Sequence, residues 1–135
     1  MTMTPRELIA AAAAARRRAV APYSRFAVGA ALLCADGEVV SGANVESASF
    51  GLTCCAERVA LFRALTSGKR HFTAIAVVAR APGGAAPCGA CRQLLAEYAP
   101  DALVWVADSR APRRFREFRM VDLLPEAFRS FEPSA

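Results

Sequence analysis

The second half of this sequence alternates short apolar segments with a helical one, and this alternation constrains the fold most strongly. Phe72–Ala79 is an apolar, β-branched run typical of a buried strand. A helix is predicted after Pro87, running to about Tyr98, and Leu103–Ala107 is a further apolar run. A strand–helix–strand succession places neighbouring strands parallel in one sheet. The pattern therefore predicts an α/β layered fold.

The first half of the chain supplies a helix and a hairpin. A capping box at Thr4 and Glu7 begins the first helix. That helix is predicted to run through the alanines to about Val20, and Pro22 ends it. The remaining predicted elements are a strand at Phe26–Ala35, a turn at Asp36-Gly37, a strand at Glu38–Ala43, a loop at Asn44–Thr53, a helix at Cys55–Ser67, a fifth strand at Arg113–Met120 and a short last helix at Val121–Phe128. No internal repeat or linker divides the chain, so residues 1–135 are predicted to form a single domain.

Composition excludes several classes of protein. Of the 135 residues, 55% are hydrophobic and 21% are charged, which excludes global disorder. No uncharged apolar stretch reaches the roughly 18 residues of a membrane span, so we expect no membrane partner. Arg16, Arg17 and Arg18 follow the N-terminal apolar run instead of preceding it, which argues against a secretory signal and favours a cytoplasmic protein. Five cysteines, an odd number, favour metal binding over a disulfide framework.

Three cysteines stand at the starts of two predicted helices. Cys88 and Cys91 are three residues apart, so they share a helix face, and a helix N-terminus favours the thiolate form. Cys55 stands near the start of the other helix. Two helix starts that meet at one point would hold three thiolates around a cation. Three protein ligands with an open fourth position are typical of a catalytic zinc, which lowers the pKa of its bound water toward roughly 7.

The residues that follow the ligands are further candidates for the site. Glu57 is two residues beyond Cys55, and ideal helical geometry does not place these positions on one face, so Glu57 reaches the metal only if Cys55 lies in the turn leading into the helix. Arg58 and Arg92 each follow a ligand and could offset the charge of the thiolates. Cys54 adjoins Cys55, and the pattern alone does not decide which of the two binds metal. The Pro-Cys-x-x-Cys segment about 33 residues further on matches half of the zinc deaminase signature.

Five segments along nearly the whole chain carry a family resemblance, namely Pro22–Ala30, Asn44–Gly51, Cys55–Arg58, Pro87–Gln93 and Leu123–Phe128. Together they resemble those of the small homotetrameric cytidine deaminases. The resemblance implies a three-layer α/β/α sandwich around a five-stranded mixed sheet. It also implies one Zn²⁺ per subunit, held by Cys55, Cys88 and Cys91, and a homotetramer whose sites are completed by neighbouring subunits.

The activity that the resemblance implies is hydrolytic deamination of cytidine and deoxycytidine to uridine and deoxyuridine. Ammonia is released, and the reaction is a step of pyrimidine salvage. Glu57 is implied to be the proton shuttle that takes a proton from the attacking water, delivers it to N3 of cytosine and assists the departure of ammonia.

The resemblance also implies a set of substrate contacts. Asn44 and Glu46 point the same way in an extended chain and would hold the ribose, chiefly its 3′-hydroxyl, so that both ribo- and deoxyribonucleosides are accepted. Phe26 would pack against the pyrimidine ring. Ala56 would offer its backbone amide to the base carbonyl, and Phe128 would enter the site of a neighbouring subunit.

Three alternatives share parts of this pattern. A polynucleotide deaminase is favoured by the net charge of +5 and the arginines of Arg113–Arg119, but such enzymes more often have a histidine ligand two residues before the glutamate, and the one histidine here is His71. A deaminase of a cytosine nucleoside antibiotic shares the metal motifs, whereas Asn44–Gly51 and Phe26 favour plain cytidine. A non-enzymatic module closed by Cys54 as a fourth zinc ligand is disfavoured, because adjacent cysteines rarely reach one tetrahedral centre. We therefore expect a nucleoside substrate and no nucleic-acid partner.

Overall fold

Five strands and four α-helices form the described part of the chain, which is residues 3–129 of a computed structural model. In chain order they are α1 (Pro5–Arg16), β1 (Val28–Cys34), β2 (Val39–Ala43), α2 (Ala56–Thr66), β3 (Phe72–Ala79), α3 (Gly89–Tyr98), β4 (Leu103–Asp108), β5 (Phe115–Arg119) and α4 (Met120–Leu123), with a short 3₁₀ turn at Phe50–Leu52 between β2 and α2.

The strands form one mixed sheet in the order β2-β1-β3-β4-β5. β1 pairs antiparallel with β2 and β3, and β5 pairs antiparallel with β4. β3 and β4 are parallel and are connected through α3, as the strand–helix–strand pattern predicts. The sheet therefore brings the beginning of α3 close to the end of β3. The candidate functional site, described below, lies there.

Helices cover both faces of the sheet. α1 packs on one face, where Leu8 and Ile9 contact a cluster that includes Trp105. α2, α3 and α4 pack on the other face around residues such as Leu61 and Leu95. This arrangement confirms the expected α/β/α layering around a five-stranded mixed sheet.

Gly42 on β2 sets how closely α2 approaches the sheet. A Cβ atom at this position would lie 2.5 Å from the backbone nitrogen of Ala60 and 2.9 Å from the carbonyl oxygen of Ala56. Only a residue without a side chain lets the helix backbone lie this close. The glycine thereby fixes the position of the N-terminal turn of α2, which belongs to the site.

Two predicted boundaries fall inside irregular segments. The first helix ends at Arg16 and not at about Val20, because Val20 leaves the helix and pairs with a second segment, donating to the carbonyl of Asn44 at 2.9 Å. The first strand begins at Val28 and not at Phe26, because the Asn44 side chain binds the backbone carbonyl of Phe26 and the amide of Val28.

The prediction of a helix over Val121–Phe128 is wrong. α4 is a single turn that ends at Leu123. Leu124 precedes Pro125, and a residue before proline is driven out of the helical region. The backbone angles of Leu124, φ −146° and ψ 77°, show this departure. Within the described residues, every helix is too short or too polar to cross a bilayer.

Candidate active site

Three cysteine thiols meet where the N-termini of α2 and α3 converge. Cys55 and Cys88 are the N-cap residues of these helices, and Cys91 lies in the first turn of α3. The three sulfur atoms lie within 4.8 Å of one another, and the Sγ atoms of Cys55 and Cys88 are 3.8 Å apart. A tetrahedral centre with Zn–S bonds of about 2.3 Å places neighbouring sulfurs about 3.8 Å apart. The donors therefore fit zinc in number, type and spacing.

The thiol cluster carries negative charge that Arg58 partly neutralises. The hydrogen bond from Cys91 is the main cause that lowers the pKa of Cys55 to about 5. The same hydrogen bond, together with burial, raises the pKa of Cys91. Nη2 of Arg58 donates to the sulfur of Cys55 at 3.4 Å and to the carbonyl of Thr53 at 3.2 Å. The lowered pKa of Cys55 favours its thiolate, the form that binds metal.

Glu57 is a buried carboxyl group beside these thiols. Its residue is only 5% exposed, and burial raises its pKa to about 7. Cys55 has extended backbone angles, φ −69° and ψ 154°, so it lies in the turn leading into the helix. The argument from ideal helical spacing therefore does not apply, and Glu57 lines the same cavity as Cys55 and Cys88. A carboxyl group with this pKa can both accept and release a proton near neutral pH.

A cavity of about 200 Å³ connects these groups with polar and aromatic side chains from the loops. Its metal end is formed by the two N-cap cysteines and Glu57. The cavity also brings together four of the five residues predicted to contact substrate, namely Phe26, Asn44, Glu46 and Ala56. Phe128 is not among the cavity's lining residues and is 58% exposed at the surface.

Comparison with known proteins places the chain in a family. Residues 3–107 match the family described as the cytidine and deoxycytidylate deaminase zinc-binding region. The chain belongs to this family. It is 52% identical to the cytidine deaminase of Halalkalibacterium halodurans over 122 residues, which are 90% of this chain and 91% of that one. It is 43% identical to the cytidine deaminase of Sporosarcina psychrophila over 127 residues, 93% of this chain and 92% of that one.

A solved structure agrees with this assignment. The crystal structure of cytidine deaminase from Burkholderia pseudomallei superposes with a TM-score of 0.89 at 52% identity, covering 93% of this chain and all of that one. The resemblance drawn from the sequence motifs is therefore confirmed. Cys54 is not part of the thiol cluster found among the described residues, and its backbone amide and carbonyl pair with Val45.

In this deaminase domain the side chain of Asn44 is hydrogen-bonded to the backbone segment that contains Phe26. Its Nδ2 donates to the carbonyl of Phe26 at 2.8 Å, and its Oδ1 accepts from the amide of Val28 at 2.8 Å. The side chain is buried, and these two bonds use one of its two donors and part of its acceptor capacity. Asn44 therefore holds Phe26 in place and retains one amide hydrogen for a ligand.

Glu46 holds the other end of the same segment. One carboxylate oxygen accepts from the amides of Tyr23 and Ser24, each at 3.0 Å, and the second accepts from the hydroxyl of Ser24. These bonds, chiefly those from Ser24, keep the pKa of Glu46 below its usual value. Sequence reasoning missed Ser24, although the residue stands inside the Pro22–Ala30 segment that carries the family resemblance.

Arg92 and the C-terminal segment are linked to α3 by backbone contacts. Nε of Arg92 donates to the carbonyl of Pro87 at 2.7 Å, and Nη1 donates to the carbonyl of Leu123 at 3.1 Å. Gln93 donates to the carbonyl of Phe128 at 2.6 Å. Arg92 thus supports the loop directly before Cys88, and α3 anchors both ends of the segment from Leu123 to Phe128.

Part of the cavity wall comes from the loop between β3 and α3, which contains Gly83 and Gly84 and is held by Arg116. Ala85 and Ala86 line the cavity. Nε of Arg116 donates to the carbonyl of Gly83 at 2.9 Å, while the guanidinium lies 5.4 Å from the centre of the Phe118 ring. Arg116 belongs to the basic cluster that suggested a nucleic-acid surface. In the structure Arg116 is exposed and also holds this loop. Arg119, likewise exposed, pairs with Asp122 at 3.4 Å.

Proposed function

We propose that this protein deaminates cytidine and deoxycytidine hydrolytically, producing uridine or deoxyuridine and ammonia. The observation that carries the proposal is a cavity in which two thiols of the three-cysteine cluster and a buried glutamate line one end, together with an aromatic ring and two polar side chains. Metal chemistry at one end and nucleoside recognition at the other are what such a reaction requires. The relatives named cytidine deaminase support the same substrate class.

Glu57 carries the proton transfers in this proposal. Cys55, Cys88 and Cys91 would hold a zinc ion, which when bound would supply a nucleophilic water at neutral pH. Glu57 would take one proton from the attacking water as its oxygen bonds to C4, and pass that proton to N3 of the pyrimidine. Glu57 would then move the proton of the new C4 hydroxyl to the amino group, so that the C4–N bond breaks and ammonia leaves. Its burial beside the thiols excludes bulk solvent, so that the proton passes to the substrate.

Two arginines support the metal ligands from outside the cluster. Arg58 donates directly to the sulfur of Cys55, so its positive charge offsets the charge that three thiolates bring to the metal. Arg92 acts through the backbone, because it binds the carbonyl of Pro87, the residue directly before Cys88. We assign Arg58 an electrostatic role and Arg92 a positioning role.

Substrate recognition uses the loop residues and the start of α2. Phe26 packs on the pyrimidine ring. Ala56 is the first residue of α2, and its amide has no partner within the helix, so it can donate to the carbonyl of the base. Asn44 and Glu46 bind the ribose hydroxyl with the hydrogen-bonding capacity that their backbone contacts leave. Glu46 is an anion beside the sugar, which favours a nucleoside over a nucleotide.

A homotetramer completes the site in this proposal. Large apolar side chains stand exposed close to the cavity, among them Phe50 at 80% and Leu52 at 74% exposure, together with Val45. Apolar patches of this kind mark protein–protein interfaces. Phe128 projects from a segment fastened to α3, and we assign it to the site of a neighbouring subunit. Light scattering coupled to gel filtration tests the assembly, and a monomer at micromolar concentration contradicts it.

A cytoplasmic role in pyrimidine salvage fits the chemistry of the chain. All five cysteines are free thiols, which is the state that the cytoplasm maintains. Measuring growth on cytidine as the pyrimidine source, in a host strain that lacks its own cytidine deaminase, tests this role. We expect the wild-type chain, but not the Glu57→Gln variant, to support growth.

The decisive experiment follows the loss of cytidine absorbance in the ultraviolet with zinc-loaded protein. We expect turnover of cytidine and deoxycytidine, loss of turnover after removal of zinc with a strong chelator, and recovery when zinc is restored. A single-stranded oligonucleotide containing cytosine serves as the competing substrate and should not react. Full activity after complete removal of the metal, or turnover of the oligonucleotide alone, contradicts the proposal.

A further inference from the structure

The hydroxyl group of Ser24 connects two sides of the substrate cavity. It donates to one carboxylate oxygen of Glu46, while the backbone amide of Ser24 donates to the other oxygen at 3.0 Å. The same hydroxyl oxygen accepts a hydrogen bond from the amide of Phe26 at 3.0 Å. Ser24, Phe26 and Glu46 all line the cavity. One small side chain therefore joins the carboxylate to the backbone that carries the aromatic ring.

The turn that contains Ser24 adopts an uncommon backbone conformation. Arg25 has φ +56°, in the left-handed region that residues other than glycine seldom occupy. Such a conformation persists only where surrounding contacts hold it. The contacts here are the bonds from the amides of Tyr23 and Ser24 to the carboxylate of Glu46, and the bond from the amide of Arg25 to the carbonyl of Ala21 at 3.0 Å.

Glu46 depends on these contacts for its orientation. It is half-buried, and its long side chain has several rotamers of similar energy. Within the described residues the hydrogen bonds found for its carboxylate come only from Tyr23 and Ser24. Of these donors, the Ser24 hydroxyl is the one that a side-chain substitution can remove without altering the backbone.

We propose that Ser24 is a positioning residue for ribose recognition. Its hydroxyl selects the rotamer of Glu46 that faces the sugar, and it fixes the backbone amide of Phe26. The inference rests on the proposed function, because it takes the ribose hydroxyl as the ligand of Glu46. Ser24 itself does not touch the reacting atoms, so its removal weakens binding and leaves the chemical step unchanged.

The test compares Ser24→Ala with two matched variants on cytidine and 3′-deoxycytidine. Ordering a long side chain costs binding free energy that corresponds to about a 10-fold change, so Ser24→Ala should raise KM for cytidine about 10-fold with kcat nearly unchanged. Ser24→Thr keeps the hydroxyl and should restore KM. Arg25→Gly removes the backbone strain but keeps the hydroxyl, and should leave KM at the wild-type value.

The second substrate separates positioning from a general loss of structure. If Ser24 acts through Glu46 on the 3′-hydroxyl, the penalty of Ser24→Ala on kcat/KM should shrink with 3′-deoxycytidine, as in a double-mutant cycle. Equal penalties on both substrates overturn the inference, as does an unchanged KM for cytidine or an equal defect in Arg25→Gly.

Zinc content and thermal unfolding of each variant are measured in parallel. If Ser24→Ala fails to fold, Ser24→Cys replaces it, since the thiol is close in size and a weaker hydrogen-bond donor. Failure of the wild-type protein to deaminate cytidine contradicts the proposed function. A normal wild-type rate with an unaffected Ser24→Ala variant contradicts the role of Ser24 alone.

Discussion

The two ends of the cavity are built in different ways. At the metal end, Cys55, Cys88 and Cys91 occupy the first turns of two helices that pack on the same face of the sheet. At the end proposed to bind the nucleoside, which we call the nucleoside end, Phe26, Asn44 and Glu46 come from the irregular segments before β1 and after β2. The first end is held by regular secondary structure, and the second by side-chain bonds to loop backbone.

The two ends of the cavity therefore have different roles in the enzyme. Helix starts fix sulfur positions to the accuracy that a tetrahedral metal requires, and they supply a favourable field for thiolates. A loop held by hydrogen bonds can carry the side chains that contact substrate without disturbing the metal. We therefore expect substitutions at the metal end to change kcat, and substitutions at the nucleoside end to change KM.

The largest expected effect is that of Glu57→Gln at the metal end. Glutamine keeps the size and polarity of the side chain but does not transfer protons, and removal of a general acid–base group typically costs 10²- to 10⁴-fold. We expect kcat for cytidine to fall by this factor while the zinc content stays at one per chain. A kcat within threefold of the wild-type value would remove Glu57 from the mechanism.

Phe26→Ala probes the nucleoside end. Stacking of a base on an aromatic side chain contributes about 1–3 kcal/mol, so we expect KM for cytidine to rise about 5- to 150-fold with a smaller change in kcat. Phe26→Tyr retains the ring and should keep KM close to the wild-type value. Steady-state kinetics on both variants give the two parameters. A loss confined to kcat would contradict the division between the two ends.

Gly83 and Gly84 directly precede the cavity residues Ala85 and Ala86. The packing of Gly84 against β4, with Gly83 as the control, is the third test. A Cβ atom at Gly84 would lie 2.7 Å from Cγ1 of Val106, whereas at Gly83 the nearest atom, in the flexible Arg116 side chain, is 3.8 Å away. The φ angles of Gly84 and Gly83 are both positive, 77° and 74°, so an added side chain would introduce similar backbone strain at either position. Gly84→Ala adds a steric clash of the overpacking kind, which costs about 1–3 kcal/mol.

Urea unfolding of both alanine variants measures this difference. We expect Gly84→Ala to lower the free energy of unfolding by about 1–3 kcal/mol more than Gly83→Ala does. Equal losses would mean that backbone strain, and not the contact with β4, determines the stability of the loop.

Part of the metal end could be predicted from the sequence because the geometry of Cys88 and Cys91 is local. The three-residue spacing of Cys88 and Cys91 and the position of Pro87 fix the start of α3 and the shared face of the two sulfurs. The order of the elements followed from the alternation of apolar runs. The resemblance of longer segments then indicated the ligand set and the role of Glu57, which helical spacing had left open.

The nucleoside end could be predicted only in part, because its contacts join residues far apart in the chain. The roles of Asn44 and Glu46 in holding residues 23–28 depend on the pairing of Val20 with Val45, which no local pattern reports. The basic cluster around Arg116 did not indicate that this residue binds the carbonyl of Gly83, which lies 33 residues away in the chain. The predicted helix over Val121–Phe128 is too long because Pro125 drives the residue before it, Leu124, out of the helical region.

The smallest expected effect is that of Cys54→Ser, and it decides between two adjacent cysteines. Cys54 contributes to the structure through its backbone, which pairs with Val45, and its sulfur lies outside the thiol cluster. We expect zinc content and kcat to be unchanged and the free energy of unfolding to move by less than about 1 kcal/mol. Cys55→Ser, one residue further on, should instead release zinc, because a neutral hydroxyl replaces the thiolate at the N-cap of α2. Zinc loss in the Cys54 variant would mean that the metal is held by four sulfurs, and a centre closed in this way leaves no position for water.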